Sequence, residues 1–228
     1  MVSCLATPDP TSPHPARQRR KAERPQQLLE AAMSLFISKG LAGTRTEDVA
    51  QLAGVSKGTL YRYYASKEDL FKAVVRNLLS EVIAEGIERV DQWEGPTGDL
   101  LKLLAHTWWT RIEESRASGI FKLIIAEVGN LPELAQFYVD EVIEPTHRLL
   151  SVAINRGMER GEFRRMDVTS VVHALMASGQ FLVLFPQCTA ACTHNPVPLD
   201  SDQFMNTQIE LLLLGLQVRP SDTQKDSA

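Results

Sequence analysis

The sequence predicts an all-α fold in two parts, an N-terminal three-helix helix-turn-helix domain followed by a larger helical domain. Three observations carry this. Apolar residues recur at the three-and-four spacing of helices along most of the chain, no stretch shows the period-two alternation of a strand, and Gly or Pro separates the periodic segments. No internal repeat interrupts the pattern. With 228 residues the chain has room for one small domain and one with a substantial core.

Met1 to Ala16 is rich in Pro, Ser and Thr and lacks periodicity, so residues 1–20 are expected to form a disordered tail. A basic cluster follows, Arg17, Arg19, Arg20, Lys21 and Arg24, open to two readings: a solvated tail, or an arm that touches phosphate or a minor groove. From Arg24 to Lys39, Leu28, Leu29, Ala32, Leu35 and Phe36 make an amphipathic helix that Gly40 terminates.

The segment Thr46–Tyr64, TEDVAQLAGVSKGTLYRYY, organises this first part. Thr46 is expected to cap a short helix whose first turn holds Glu47 and Asp48, where the helix dipole favours acids. Val49, Ala50 and Ala53 form its inner face, and Gly54 ends it in a turn that needs a positive φ. Val55 fills the corner and Ser56 caps a second helix, Lys57 to Tyr63, with Leu60 facing inward. Lys57, Gly58, Thr59, Tyr61, Arg62 and Tyr63 are left outside. The N-terminal end of such a helix is the part offered to base edges in the major groove. Lys57 and Arg62 have the chemistry to read bases, and Tyr61 and Tyr63 to hold phosphates. The expected domain spans 21–66.

Charge supports a nucleic-acid partner for this end. Residues 1–66 hold nine Lys/Arg and five Asp/Glu, a net +4, while 67–228 hold fifteen and twenty-three, a net −8.

G-V-S-K-G-T-L-Y-R-Y-Y-x-S-K-E-D-L-F, from Gly54 to Phe71, resembles the core signature of the TetR/AcrR family of transcriptional regulators, with Tyr64 where the family usually has phenylalanine. The specific likeness reaches upstream to about Arg24; beyond it, only size and helical architecture agree. The resemblance implies that Thr44, Arg45 and Thr46 lie near the DNA backbone and that Lys67 is a phosphate ligand. It also implies a homodimer on a palindromic double-stranded operator, a small-molecule effector, and two helices from each protomer at the dimer interface.

Ser66 caps a long helix with an acidic first turn, and its apolar spacing runs from Leu70 to Trp93. After the breaker at Gly95-Pro96-Thr97-Gly98, further helices are expected near 98–117, 119–129, 132–160, 167–186 and 200–217, with a kink at Glu144-Pro145. Gly161 closes the third, and Phe163 is expected to pack under the turn that follows. These elements make 67–218 a helical ligand-binding and dimerisation domain, with 219–228 as a second tail. The helices at 167–186 and 200–217 are apolar nearly all round, which calls for burial on more than one side; a second copy of the chain is the simplest cover. His106, Trp108, Trp109, Phe121, Ile125, Phe137 and Tyr138 are the candidate lining of an effector cavity.

No nucleophile–base pair or ligand cluster stands out, so neither an enzyme nor a cofactor is expected. One constellation supports a rival reading: Cys188, Cys192 and His194 could serve a metal- or redox-responsive sensor or a helical enzyme, although no fourth ligand lies nearby. No apolar run approaches the ~18 residues of a membrane span. Prolines occupy the place of a signal peptide's apolar core, and the three cysteines are scattered, so a cytoplasmic protein is expected.

Overall fold

The structure, a computed structural model, describes residues 15–115, 118–189 and 198–218, with side chains from Glu23 onward except Gln187. The described residues are helical apart from turns and one isolated bridge, Phe163 with Gln217. The chain forms two compact units, Met1–Phe71 and Lys72–Ala228.

In the first unit α1 spans Pro15–Gly43. It begins well before Arg24, because Ala, Arg, Gln, Lys and Glu are strong helix formers even where no apolar face requires a helix. Residues 15–20, assigned above to a tail, therefore have helical backbone; residues 1–14 and 219–228, the rest of the two expected tails, lie outside the described residues. Leu28, Ala32 and Phe36 recur every fourth residue and are wholly buried. Gly40, at φ +75°, breaks the helix as expected.

Helix α2 spans Thr46–Leu52 and α3 spans Lys57–Tyr63. Gly54 turns the chain between them at φ +66°, and the Val55 N–H donates back to the Ala50 carbonyl at 2.9 Å. Ser56 caps α3 by accepting from the Thr59 N–H at 3.1 Å, and Ser66 accepts from the Asp69 N–H at 2.9 Å at the head of α4, Lys67–Gln92. The division between the two units falls inside α4. Leu60, Leu70 and Phe71 are fully buried, and Phe71 meets Phe36 edge-on at 5.3 Å.

The second unit adds α5, Thr97–Glu114; α6, Ser118–Glu127; α7, Pro132–Tyr138; α8, Glu144–Glu159; α9, Val168–Thr189; and α10, Ser201–Leu216. Between α7 and α8 the helix loosens into a π turn over Val139–Ile143. The expected kink at Glu144-Pro145 takes this form for a local reason. Pro145 has no N–H to offer the Glu141 carbonyl, and its ring would press on it, so the preceding turn widens rather than breaking the helix. The core gathers Leu100, Leu101, Ala153, Ile154, Val172 and Leu216 from α5, α8, α9 and α10. Phe163 is 5% exposed and lies against Gly157, where any side chain would collide with its ring. Arg156 donates to the Val90 and Trp93 carbonyls, satisfying the C-terminal end of α4. Arg164 does the same for α10 by donating to the Gly215 carbonyl at 2.7 Å.

One expectation changes here. Val168–Pro186 in α9 is long and apolar enough to cross a membrane by length and composition, with a mean hydropathy of 1.7. No unbroken apolar run marks it, because Ser170, His173, Ser178 and Gln180 interrupt a strongly apolar average. Its apolar residues divide between the core, which takes Val171, Val172, Leu182 and Val183, and an open face with Phe181. Phe181, Phe185 of α9 and Phe204 of α10 form a cluster with centroids 5.1 Å apart for each contact of Phe181, and Leu211 and Leu214 are more than half exposed on α10. A large apolar surface left open on two neighbouring helices is the mark of an interaction face.

Candidate nucleic-acid interface and effector cavity

The outer face of α3 follows from the burial of Leu60. Gly58 and Arg62, four residues apart, lie opposite it and are exposed, with Lys57 and Tyr61 exposed beside them. A Cβ at Gly58 would meet nothing nearer than the Ser56 hydroxyl at 4.0 Å, so packing within the chain does not demand glycine there. What the missing side chain provides is room for something outside the chain to approach the backbone.

Electrostatics hold this face in a defined state. The Lys57 ammonium pairs with the Glu47 carboxylate of α2 and stands 5.7 Å from the centre of the Tyr61 ring. That hydrogen bond keeps the Glu47 carboxyl below the usual carboxylate range and raises Lys57 in return. The Arg62 guanidinium lies over the Tyr63 ring at 5.2 Å, and burial pushes the half-buried Tyr64 phenol up.

The residues ahead of α3 divide between framework and surface. Thr46 does not cap α2; it is the first helical residue, and Arg45 occupies the cap position without a side-chain bond. The Thr46 side chain is 8% exposed and its hydroxyl hydrogen-bonds the Tyr61 hydroxyl at 2.9 Å, joining α2 to α3. Thr44 is 2% exposed and its hydroxyl donates to the Gly40 carbonyl at 2.7 Å, with the Leu35 carbonyl at 3.2 Å. Thr44 is therefore framework, holding the broken end of α1, and its side chain is not available to DNA. Arg45 is exposed, Thr59 half-buried and Lys67 partly exposed, with its ammonium 3.5 Å from the Ala42 carbonyl.

The second unit encloses a cavity of about 370 Å³, within the range of small-molecule sites. Leu79, Val82, Ile83 and Gly86 of α4 form one wall; Leu101, Leu104 and Trp108 of α5 another; Val142 of the π turn and Leu149 of α8, Leu175, Met176 and Gly179 of α9, and Met205, Ile209 and Leu212 of α10 form the rest. Gly179 makes room for Trp108, whose ring carbons a Cβ at that position would approach to 3.0 Å. Phe121 meets Trp108 edge-on at 6.3 Å, and Tyr138 adds a phenol whose titration burial pushes upward.

The family model described as "Bacterial regulatory proteins, tetR family" matches residues 28–74, and that of the "Tetracyclin repressor-like, C-terminal domain" matches residues 95–193. The chain belongs to the TetR family. It is a ligand-responsive, DNA-binding transcriptional regulator, and the family is one of regulators rather than enzymes. Members bind operator DNA as homodimers and bind small-molecule effectors. The chain is 29% identical to the transcriptional repressor KstR2 of Mycobacterium tuberculosis over 139 residues, 60% of this chain and 68% of that one. The solved structure of that ketosteroid regulator aligns with a TM-score of 0.63 at 25% identity, covering 86% of this chain and 96% of that one. The regulator FadR of Bacillus subtilis, solved in complex with stearoyl-CoA, aligns with a TM-score of 0.66 at 21% identity, covering 84% and 99%.

Of the residues expected to line an effector cavity in this TetR-family regulator, Trp108, Phe121 and Tyr138 line the cavity of the second unit; His106, Trp109, Ile125 and Phe137 do not. Trp109 turns into the core at 6% exposure, and Phe137 is buried with the Arg76 guanidinium 5.0 Å from its ring. Ile125 points to solvent at 48% exposure. The walls from α4, α9 and α10 went unrecognised in the sequence. Their signal was present, in α4 as Leu79, Val82, Ile83 and Gly86 at helical spacing, and in α9 and α10 as apolar faces credited wholly to a dimer. Of the rival constellation, Cys188 is exposed at the end of α9, while Cys192 and His194 lie outside the described residues; among the described residues no three metal-ligating side chains come together.

Proposed function

We propose that this protein is a homodimeric repressor that binds a palindromic operator through α3 and is released when a mostly apolar effector occupies the cavity of the second unit. The apolar cavity of about 370 Å³ carries this reading, in a chain whose other unit presents a capped helix-turn-helix. KstR2 is named for ketosteroids and FadR was solved with stearoyl-CoA, both ligands with large apolar bodies, which supports the same class here. The helix that begins at Lys67 also walls the cavity from Leu79 to Arg89, so the proposed phosphate ligand and the cavity wall lie on one continuous helix. The effector acts by its differential affinity for the DNA-bound and free conformers; a ten- to hundredfold loss of operator affinity requires about 1.4–2.7 kcal/mol of coupling.

Footprinting on the DNA flanking the gene, repeated with candidate apolar ligands, tests the whole proposal. Protection of a two-fold symmetric site, relieved by a ligand, supports it; no protection anywhere in that DNA sinks it. Trp108→Ala should change effector response while ligand-free operator affinity stays near wild type, measured by paired titrations. Unchanged effector affinity would place the effector elsewhere.

At the DNA face, Lys67→Ala should weaken specific and nonspecific binding alike and lower the salt slope by about one. Arg62→Ala should cost about 1–3 kcal/mol on the operator alone, because a base contact matters only where the base is right. Equal losses on operator and random DNA for Arg62→Ala would reassign it to the backbone. Filter binding across a salt series separates the cases.

A further inference from the structure

The cavity face of α4 is read in order as Leu79, Val82, Ile83, Gly86 and Arg89, at spacings of three and four. Four positions are apolar or absent as side chains, and the fifth is a guanidinium, exposed at the rim. Arg89 has no ion-pair partner among the described residues, and no Asp or Glu lines the cavity. Of the acids near it along α4, Glu85 accepts from Arg111 at 3.1 Å and Glu88 from Gln92 at 3.1 Å, while Asp91 is exposed and outside the cavity lining. Tyr138, the other titratable group on the wall, stays neutral, since burial opposes its phenolate. The wall thus carries one fixed positive charge at the edge of an apolar surface.

We propose that the effector is an anionic amphiphile, its apolar body in the cavity and its carboxylate or phosphate head paired with the Arg89 guanidinium. The inference rests on the cavity being the effector site. A wholly neutral ligand would fill the apolar volume and leave Arg89 to water. An anionic head at the rim gains the planar two-pronged hydrogen bonding that guanidinium offers carboxylate and phosphate. The head stays near solvent, so its desolvation cost is small, while the chain supplies most of the affinity.

The test is calorimetric titration of the full-length protein with dodecanoate, dodecyl phosphate and dodecan-1-ol, which share one chain and differ in the head. Wild type should bind at least one anion about tenfold or more tightly than the alcohol, the scale of a charge-assisted hydrogen bond. The preferred anion tells carboxylate from phosphate. Arg89→Gln should abolish the preference, bringing the anions to the affinity of the alcohol, and Arg89→Lys should restore part of it. Binding of both anions no tighter than the alcohol by wild type, or a preference that survives Arg89→Gln, overturns the role of Arg89 and leaves the cavity standing. A Val82→Trp variant fills the cavity. If it binds the probes as wild type does, or wild type binds none of the three, the cavity reading falls and the Arg89 proposal with it.

Discussion

Replacing Leu214 or Phe181 by glutamate should give folded monomers that have lost operator binding by about 10²–10⁴-fold, the avidity that two linked half-site contacts supply. Leu214 is 53% exposed and Phe181 42%, and neither lines the cavity. In a two-fold dimer each substitution appears twice, and each carboxylate would be taken out of water without a partner. An operator read as two half-sites one helical turn apart cannot be engaged by single protomers with the same affinity. Light scattering for mass, circular dichroism for fold and a gel-shift titration check the three parts separately. A folded monomeric variant that retains full operator affinity contradicts the interface, and so does a variant that stays dimeric. Leu212→Glu is the informative control: Leu212 lines the cavity and Leu214 does not, so a carboxylate at position 212 should impair effector binding before it impairs association.

The distinction between Leu212, which lines the cavity, and Leu214, which is exposed, shows where sequence reading reaches its limit. The run Leu211–Leu214 is continuous in the sequence, and an uninterrupted apolar run has no face until its neighbours are placed. The helix-turn-helix was legible because its determinants are local: Gly54 for the turn, Ser56 and Ser66 for the caps, Leu60 for the inward position. The framework contacts of Thr44 and Thr46 are not legible in the sequence because their partners are tertiary. Gly40 and Leu35 claim the first, and Tyr61, fifteen residues on, claims the second. The cavity draws on every helix from α4 to α10 and on the π turn, and only its aromatic residues carry a signal that composition can show. Trp109 and Phe137 carry the same signal and face the core instead, since an aromatic residue at helical spacing marks burial without saying against what.

Leu60→Ala should abolish operator binding at physiological temperature while leaving the effector cavity intact. Leu60 is wholly buried in the unit Met1–Phe71. Truncating such a leucine costs about 2–5 kcal/mol, through lost transfer energy and the void left behind. A unit of this size buries a modest fraction of its surface and has little stability in reserve, so a loss of that order removes much of what holds α3 in place. Tyr61→Phe provides the comparison. It deletes the hydroxyl bonded to Thr46, worth about 0.5–1.5 kcal/mol net, and should leave the unit folded with only a modest drop in affinity. Packing, rather than this hydrogen bond, sets the position of the recognition helix. Thermal melts followed by amide exchange should show α2 and α3 losing protection in Leu60→Ala while α8 and α9 keep theirs. Tryptophan emission reports the second unit, because Trp93, Trp108 and Trp109 all lie in it. Wild-type protection of α3 and wild-type operator affinity in Leu60→Ala would show that other contacts hold the helix.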